Sequence, residues 1–154
     1  MASLYGVEYT NVTQDVPSEK AAHNKWNAPL RIMYDSYTFA SDLSADDKIY
    51  LGKLPKGARV IDVILAVTAL GGGTIDVGYE YNATGESALT DNLDAFLDGV
   101  DVTNAANFSM SEDLANADGF AYEIEGDADI VATIATDTSA SSGTIKLCVI
   151  YAAS

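Results

Sequence analysis

The sequence has 154 residues, a formal net charge of −15 from 23 acidic and 8 basic residues, and one cysteine. A single cysteine excludes an intrachain disulfide, and the excess of acid argues against DNA or RNA binding, because neutralising phosphates requires basic residues. We expect one domain with no secretory signal at its start and no membrane span, since no run approaches the roughly 18 apolar residues of such a span.

The acidic charge is concentrated in the second part of the chain. Residues 1–59 hold seven acidic and seven basic residues, whereas residues 60–154 hold sixteen acidic residues and one base, Lys146. A dense acidic surface is usually a solvated, repulsive face that keeps a protein soluble. We hypothesise that the neutral first part supplies an anchor to a partner and that the acidic remainder supplies an outer face.

Residues 1–30 have no sustained hydrophobic period and predict an extended N-terminal arm, with one short helical turn near Ser18–Asn24. The arm contains Tyr5, Tyr9 and Trp26, although disordered tails are usually poor in aromatic residues. This composition favours a latch that becomes ordered on a neighbouring protein. Trp26 is the preferred anchor because tryptophan burial often dominates interface energies. The alternative, that Trp26 packs on its own domain, stays open.

The chain from residue 31 onward predicts a β-sandwich domain, residues 31–154. Residues 32–40 are rich in Tyr, Phe and β-branched residues, which favour strands, and Lys48–Leu54 is predicted as a second, short strand. Leu54–Gly57 fits a type I turn, with Pro at its second position and Gly at its fourth. The candidate interface residues are the three aromatic residues of the arm and the three bases around this turn: Tyr5, Tyr9, Trp26, Lys53, Lys56 and Arg59.

Two further strands follow this turn. Val60–Leu70 is apolar on both faces except at Asp62, which is typical of a strand in a sheet that is covered on both sides. Gly71–Gly73 lacks the spacing of a phosphate-binding loop and predicts a turn that needs positive φ. Thr74–Asn82 then alternates between apolar and polar residues, as a half-buried antiparallel strand does.

The segment Thr84–Gly119 departs from this pattern. Leu89, Leu93, Phe96 and Leu97 have helical spacing and predict a short helix or the start of a long excursion. The rest of the segment is rich in Asp, Asn, Ser and Ala and predicts an acidic loop. A long loop without a hydrophobic period inside a compact domain is usually functional or mobile.

Alternating segments return at the end of the chain, at Phe120–Ile124, Ile130–Ile134 and Ile145–Tyr151. The sequence therefore predicts seven or eight short strands at nearly regular spacing, with turn residues between them. This pattern indicates an all-β, antiparallel sandwich. A single long excursion favours a jelly roll over a simple meander.

No catalytic, cofactor-binding or metal-binding residue is predicted. The sole histidine, His23, lies in the arm, and Cys148 lies mid-strand, so neither a catalytic pair nor a zinc site with its roughly four Cys/His ligands is expected. Asp98–Asp101 and Glu125–Asp129 offer oxygen ligands for calcium but lack the EF-hand spacing. A solvated acidic loop is the simpler interpretation, and we expect the protein not to be an enzyme.

Three stretches resemble small virion proteins of tailed bacteriophages, in particular head decoration (cement) proteins: "YLGKLPKGARVID", "TIDVGY" and "IKLCVIYA". The resemblance spans residues 46–151. It implies a jelly-roll body, a homotrimer, and attachment to the major capsid protein on the outside of the icosahedral head. It also implies synthesis in the host cytoplasm. The excess of acid and the lack of a long apolar run predict that neither nucleic acid nor a membrane is a partner.

Two other functions stay open beside this one. The same fold could form a different virion component, such as the base of a head fibre or a tail or neck protein. It could also form a binding module for a host glycan, because jelly rolls support that use and the fold alone does not decide function.

Overall fold

We describe residues 28–81, 89–112 and 119–153 in a computed structural model of the chain. The predicted helical turn near Ser18–Asn24, together with Tyr5, Tyr9 and Trp26, lies outside the described residues. Within them the chain forms eight strands and one short 3-10 turn, Met110–Glu112. The strands are β1 Leu30–Phe39, β2 Lys48–Leu54, β3 Arg59–Val67, β4 Thr74–Tyr81, β5 Asn92–Asp101, β6 Ala106–Ser109, β7 Ala128–Thr136 and β8 Gly143–Ala152.

The strands form two antiparallel sheets of four strands each. The first sheet has the order β1-β8-β3-β6 and the second has the order β2-β7-β4-β5. Successive strands alternate between the sheets except for β4 and β5, which are neighbours in the second sheet. This is the connectivity of a jelly roll, two Greek keys folded over one core, and it confirms the predicted all-β jelly roll of about eight strands.

The core lies between the two sheets and is filled by alternate residues of their strands. In β3 the side chains of Val63, Leu65 and Val67 are buried, while Ile64 and Ala66 are half-buried on the other side. Burying a leucine or valine side chain stabilises the fold by about 1.5–3 kcal/mol. The sequence predicts a strand covered on both sides; within the described part of a single chain, the inner side is fully covered and the outer side only partly.

A bulge near the start of β3 also changes which residues face the core. The pairing with β8 shifts between Val60 and Asp62, so Val60 joins the buried side although its sequence position places it on the opposite side. The preceding turn is displaced by one residue from its predicted place, since the Ala58 N–H donates to the Pro55 carbonyl at 3.0 Å. Gly57 then occupies the third position with φ of 81°, which is the geometry of a type II turn.

The predicted turn at Gly71–Gly73 is confirmed. Its three glycines have φ of 73°, 152° and 87°, all in the region that L side chains rarely adopt. At Gly73 a Cβ atom would lie 2.5 Å from the Thr136 carbonyl oxygen, so the close approach of β7 excludes a side chain there as well.

The predicted helix around Leu89–Leu97 is wrong, because most of this stretch belongs to β5. Between the pairs Val77↔Leu97 and Tyr79↔Asn92, five steps along β5 oppose only two along β4. The irregular strand buries three consecutive residues, Ala95, Phe96 and Leu97, which a regular strand cannot do on one side. Burial of successive residues at this distortion imitates helical spacing in the sequence.

Two other predicted boundaries differ from the structure. The acidic stretch predicted as a loop contains the short strand β6, which pairs with the end of β3. Phe120–Ile124, predicted as a strand, forms a turn with a single bridge between Arg59 and Glu123, and Ala121 within it has φ of 56°. The eighth strand is therefore β6 and not the segment Phe120–Ile124.

Candidate protein-binding surfaces

The outer side of the first sheet carries exposed apolar side chains on its edge strand. Leu30, Ile32 and Tyr34 of β1 are 66%, 71% and 62% exposed. The strand pairing places Ile32 beside Ile150, and Tyr34 beside Cys148. The next strand continues the second row, because Cys148 pairs with Ile64. We call this surface the apolar face; its residues are Leu30, Ile32, Tyr34, Ile64, Cys148 and Ile150.

Two charged residues lie on the same side of the first sheet. Lys146 is exposed one row beyond Cys148, and Asp62 is half-buried in the row of Ile150. The Asp62 carboxylate accepts hydrogen bonds from the Ser109 hydroxyl at 2.9 Å and from the Ser111 N–H at 3.2 Å. These bonds explain why an acid interrupts the apolar stretch of β3, since it attaches β6 and the following turn to the sheet.

The outer side of the second sheet has the opposite character. We call it the acidic face; its residues are Asp76, Glu80, Asp98 and Asp129. Burial, followed by the nearby charges of Asp98 and Asp94, raises the pKa of Asp76, while a hydrogen bond from the Gly99 N–H at 2.6 Å acts against this rise. Like charges are therefore close enough to destabilise one another at this end of the sheet.

A small polar network covers the other end of the acidic face. Glu80 Oε2 accepts hydrogen bonds from Lys48 Nζ and from the Tyr50 hydroxyl, both at 3.1 Å. The Lys48 bond holds the pKa of Glu80 below its usual range. The side chains of Lys48 and Glu80 are 35% and 30% exposed, so solvent screens the pair and it contributes little to stability. It does neutralise one of the acids on this face.

The charges of the strands divide between the sheets. The strands of the first sheet contain three basic and two acidic residues, whereas those of the second contain two basic and six acidic residues. The first sheet takes β3, β6 and β8 from the acidic part of the sequence. In the described strands, charge therefore differs between the two sheets as well as between the two parts of the chain.

The three bases predicted as interface residues surround the β2–β3 turn in different settings. Lys53 has a side chain that is 76% exposed, with Nζ 3.5 Å from Asp129. Lys56 is exposed in the turn, and its backbone N–H donates to Asp127 at 3.0 Å. The Arg59 side chain is only 16% exposed; it pairs with Glu123 at 2.6 Å and also donates to a backbone carbonyl in the 119–123 turn. Arg59 therefore holds that turn against β3.

The aromatic residues predicted for the same interface, Tyr5, Tyr9 and Trp26, lie outside the described residues. The sequence interpretation did not select the exposed residues of the apolar face. The available signal was the alternation in 32–40, which places Ile32 and Tyr34 on one side of a strand and Met33 on the other. Alternation alone does not tell which side faces the core, and in the structure it is Met33 that packs against it.

A cluster of three tyrosines lines an open pocket of about 360 Å³ beside the end of β4. Tyr79 stacks on Tyr122 with ring centroids 5.5 Å apart and meets Tyr81 edge-on at 5.2 Å. Burial, together with a hydrogen bond to Tyr122, raises the pKa of Tyr81 to about 12. Tyr79 and Tyr81 are buried, so their rings pack mainly against each other and the core.

Within residues 28–81, 89–112 and 119–153, no group of three or more His, Cys, Asp or Glu side chains is arranged to hold a metal ion. In the same ranges, no helix has the length and the apolar character to cross a lipid bilayer.

Comparison with known proteins identifies the architecture. No protein-family model matches the sequence, and no curated protein matches it. A chain of the cyanophage Pam1 capsid asymmetric unit superposes with a TM-score of 0.64 and 17% identity, over 92% of this chain and 98% of that one. The protein shares its fold with phage capsid chains. A chain of the Ralstonia phage GP4 capsid also matches, with a TM-score of 0.57, 19% identity, and 80% and 85% coverage.

These likenesses confirm the fold that the sequence resemblance implied. The jelly roll of eight strands is the architecture that chains of these phage capsids share. At identities of 17% and 19% the likeness concerns the fold, and the place of this protein in a particle is a separate question.

Proposed function

We propose that this protein is a structural component of a phage virion, and specifically a decoration (cement) protein. In this proposal it binds the outside of the icosahedral head as a homotrimer, after synthesis in the host cytoplasm. It clamps neighbouring copies of the major capsid protein and so stabilises the head. Its work consists of binding and not of catalysis. The shared fold with chains of two phage capsids supports a virion role.

The observation that carries the proposal is the difference between the two outer sides of the sandwich. One side is apolar and nearly balanced in charge, and the other is acidic. A protein that works by contact needs a surface for other protein chains and a surface that stays solvated. Clustered aromatic and aliphatic side chains supply the first, and a field of like charges supplies the second.

Attachment to the head is proposed for the N-terminal arm, residues 1–30, and the adjacent domain is 31–154. The aromatic residues of the arm, Tyr5, Tyr9 and Trp26, are the proposed anchors. Lys53 and Lys56 are exposed at one end of the sandwich and are available to acidic groups of a partner. Arg59 is mostly used within the fold, so we expect it to act by supporting this region.

Binding to heads assembled without this protein tests the proposal. Purified full-length protein should bind them at a fixed copy number, seen by electron microscopy at the outer surface, and should raise the temperature at which the heads rupture. Trp26→Ala should weaken this binding by about 2–4 kcal/mol if Trp26 fills a pocket on the capsid. A matched control is Tyr50→Ala, which removes an exposed aromatic residue from the acidic face.

The outcome also separates the other virion roles. Protein found only at the vertex, tail or neck of complete particles, with no binding to bare heads, would replace decoration by one of those functions. Binding to heads without any gain in their rupture temperature would retain attachment but overturn the clamping role.

A further inference from the structure

We propose that the apolar face is the contact between copies of this chain, and that it forms before the protein docks on a capsid. The inference rests on the proposed function and deepens it, because it states which surface builds the oligomer. In this arrangement the first sheet of each copy faces the symmetry axis, and the second sheet faces outward.

The apolar face is a continuous patch that the described part of the chain leaves uncovered. Its three residues on β1, Leu30, Ile32 and Tyr34, are each more than 60% exposed. The pairing of β1, β8 and β3 extends the patch inward through half-buried Cys148 and Ile64. Large contiguous apolar patches on a soluble protein usually mark a surface for another protein.

The distribution of charge favours the first sheet as the surface through which two copies meet. Two chains with a net charge of −15 repel each other, and the repulsion is greatest where their acids face one another. The strands of the second sheet carry six acidic residues against two basic ones, so contact between two acidic faces is strongly disfavoured. The strands of the first sheet carry three basic and two acidic residues, and copies can approach there without this penalty.

The apolar side of the first sheet also has charges of both signs. Lys146 of β8 and Asp62 of β3 lie on this side, in rows separated by four residues along the strands, or about 13 Å. Rotation about a symmetry axis therefore can bring Lys146 of one copy toward Asp62 of another. In a closed symmetric oligomer every copy contributes the same patch to the interface. A patch that combines apolar side chains with charges of both signs can be complementary to itself in this way.

Cys148 provides a built-in probe, because it is the only cysteine in the chain and lies within the apolar face. We would measure the mass of the free full-length protein by sedimentation over a wide range of concentration, and the rate of Cys148 alkylation in the same samples. The matched variants are Tyr34→Lys on the apolar face and Tyr50→Lys on the acidic face, since the two tyrosines are 62% and 54% exposed.

We expect the wild type and Tyr50→Lys to form the same oligomer and to protect Cys148 as concentration rises. Tyr34→Lys should weaken association at least about tenfold and should leave Cys148 reactive, while circular dichroism shows an unchanged fold. Ile32→Asp should behave in the same way and guards against an effect particular to position 34.

Several results would overturn the inference. One is a wild type that stays monomeric at every concentration tested. Another is that Tyr34→Lys and Ile32→Asp form oligomers as stable as those of the wild type. A third is that Cys148 becomes protected only when the protein is bound to capsids. An oligomer that forms through this face but fails to bind heads would leave the inference standing and remove the decoration role. Head binding by a protein that is monomeric in solution would overturn the inference and leave the decoration role standing.

Discussion

Replacing Asp62 with alanine tests whether this carboxylate fixes the edge of the first sheet. Asp62 lies next to the bulge in β3 and accepts hydrogen bonds from the Ser109 hydroxyl and the Ser111 N–H. Both donors belong to the segment that carries β6 and the 3-10 turn, and β6 is only four residues long. We expect Asp62→Ala to loosen β6 from β3 and to lower the stability of the whole domain.

The expected loss is about 2 kcal/mol. A hydrogen bond to a charged group contributes about 1.5–3 kcal/mol, and the half-buried position of Asp62 lowers this to about 1 kcal/mol for each of the two bonds to the β6 segment. In a chain of this size 1 kcal/mol changes the melting temperature by about 4 °C, so we expect a fall of about 8 °C. The direction is informative, because removing an acid from a chain with net charge −15 should otherwise reduce repulsion and raise stability.

Thermal unfolding followed by circular dichroism at neutral pH gives the measurement. Asp98→Ala is the matched control, because it removes an exposed acid from β5 and should leave the melting temperature unchanged or slightly higher. Hydrogen exchange should also become faster at Ser109 and the other β6 amides in Asp62→Ala alone. An Asp62→Ala variant that melts at or above the wild-type temperature would refute the reasoning.

Three further predictions concern packing, pH and the predicted interface. Gly78→Ala should destabilise the protein by about 1–3 kcal/mol or prevent folding, because a Cβ there would clash with the Asn92 carbonyl oxygen of β5. Chemical unfolding measures the loss, and an unchanged stability would contradict the close approach of β4 and β5. Burial raises the pKa of Asp76 in the folded state, so ionising this carboxyl lowers the stability of the fold as pH rises through that pKa. The melting temperature of Asp76→Asn should therefore rise relative to that of the wild type between about pH 3 and pH 7. A difference in melting temperature that stays the same across this range would refute the prediction. Arg59→Ala should cost about 2 kcal/mol, because it removes a mostly buried guanidinium that bonds to Glu123 and to the Ala121 carbonyl. Lys53→Ala should change stability by less than about 0.5 kcal/mol. Equal losses in urea unfolding would contradict the role of Arg59 in holding the 119–123 turn.

The regular strands could be predicted from the sequence because their environment repeats every two residues. β4 buries Ile75, Val77, Tyr79 and Tyr81 on one side, as its alternation predicted. The β8 segment shows the same pattern at Ile145, Leu147 and Val149. These strands lie inside their sheets with neighbours on both sides, so burial is decided by the pleat alone.

The failures occur where a distortion or a long-range contact decides burial. The bulge in β5 makes three successive residues buried, and this produced the false helical spacing around Phe96. β6 has little local preference for a strand and exists because β3 and Asp62 hold it. Asp62 and Ser109 are 47 positions apart in the sequence, and a local pattern of residues does not predict a contact over that distance.

The candidate surfaces were harder to predict than the fold. The exposed residues of β1 are as apolar as the residues of a core strand. The composition of the sequence therefore could not show that Ile32 and Tyr34 point outward. The predicted base Arg59 has the opposite character, because its charge is neutralised within the fold. Which residues are available to a partner depends on the packing of the two sheets, and this is fixed only when all eight strands are in place.

The pairing of Leu30 with Ala152 sets a practical rule for engineering this protein. It brings the start of the first strand and the end of the last strand to one corner of the sandwich. Cargo fused after Ala153 would therefore begin beside the start of β1, which the proposed N-terminal arm precedes, and would compete with that arm for room. Ser141 and Ser142 are exposed in the loop before β8, at the opposite end of that strand. An insertion between them would display cargo away from the arm.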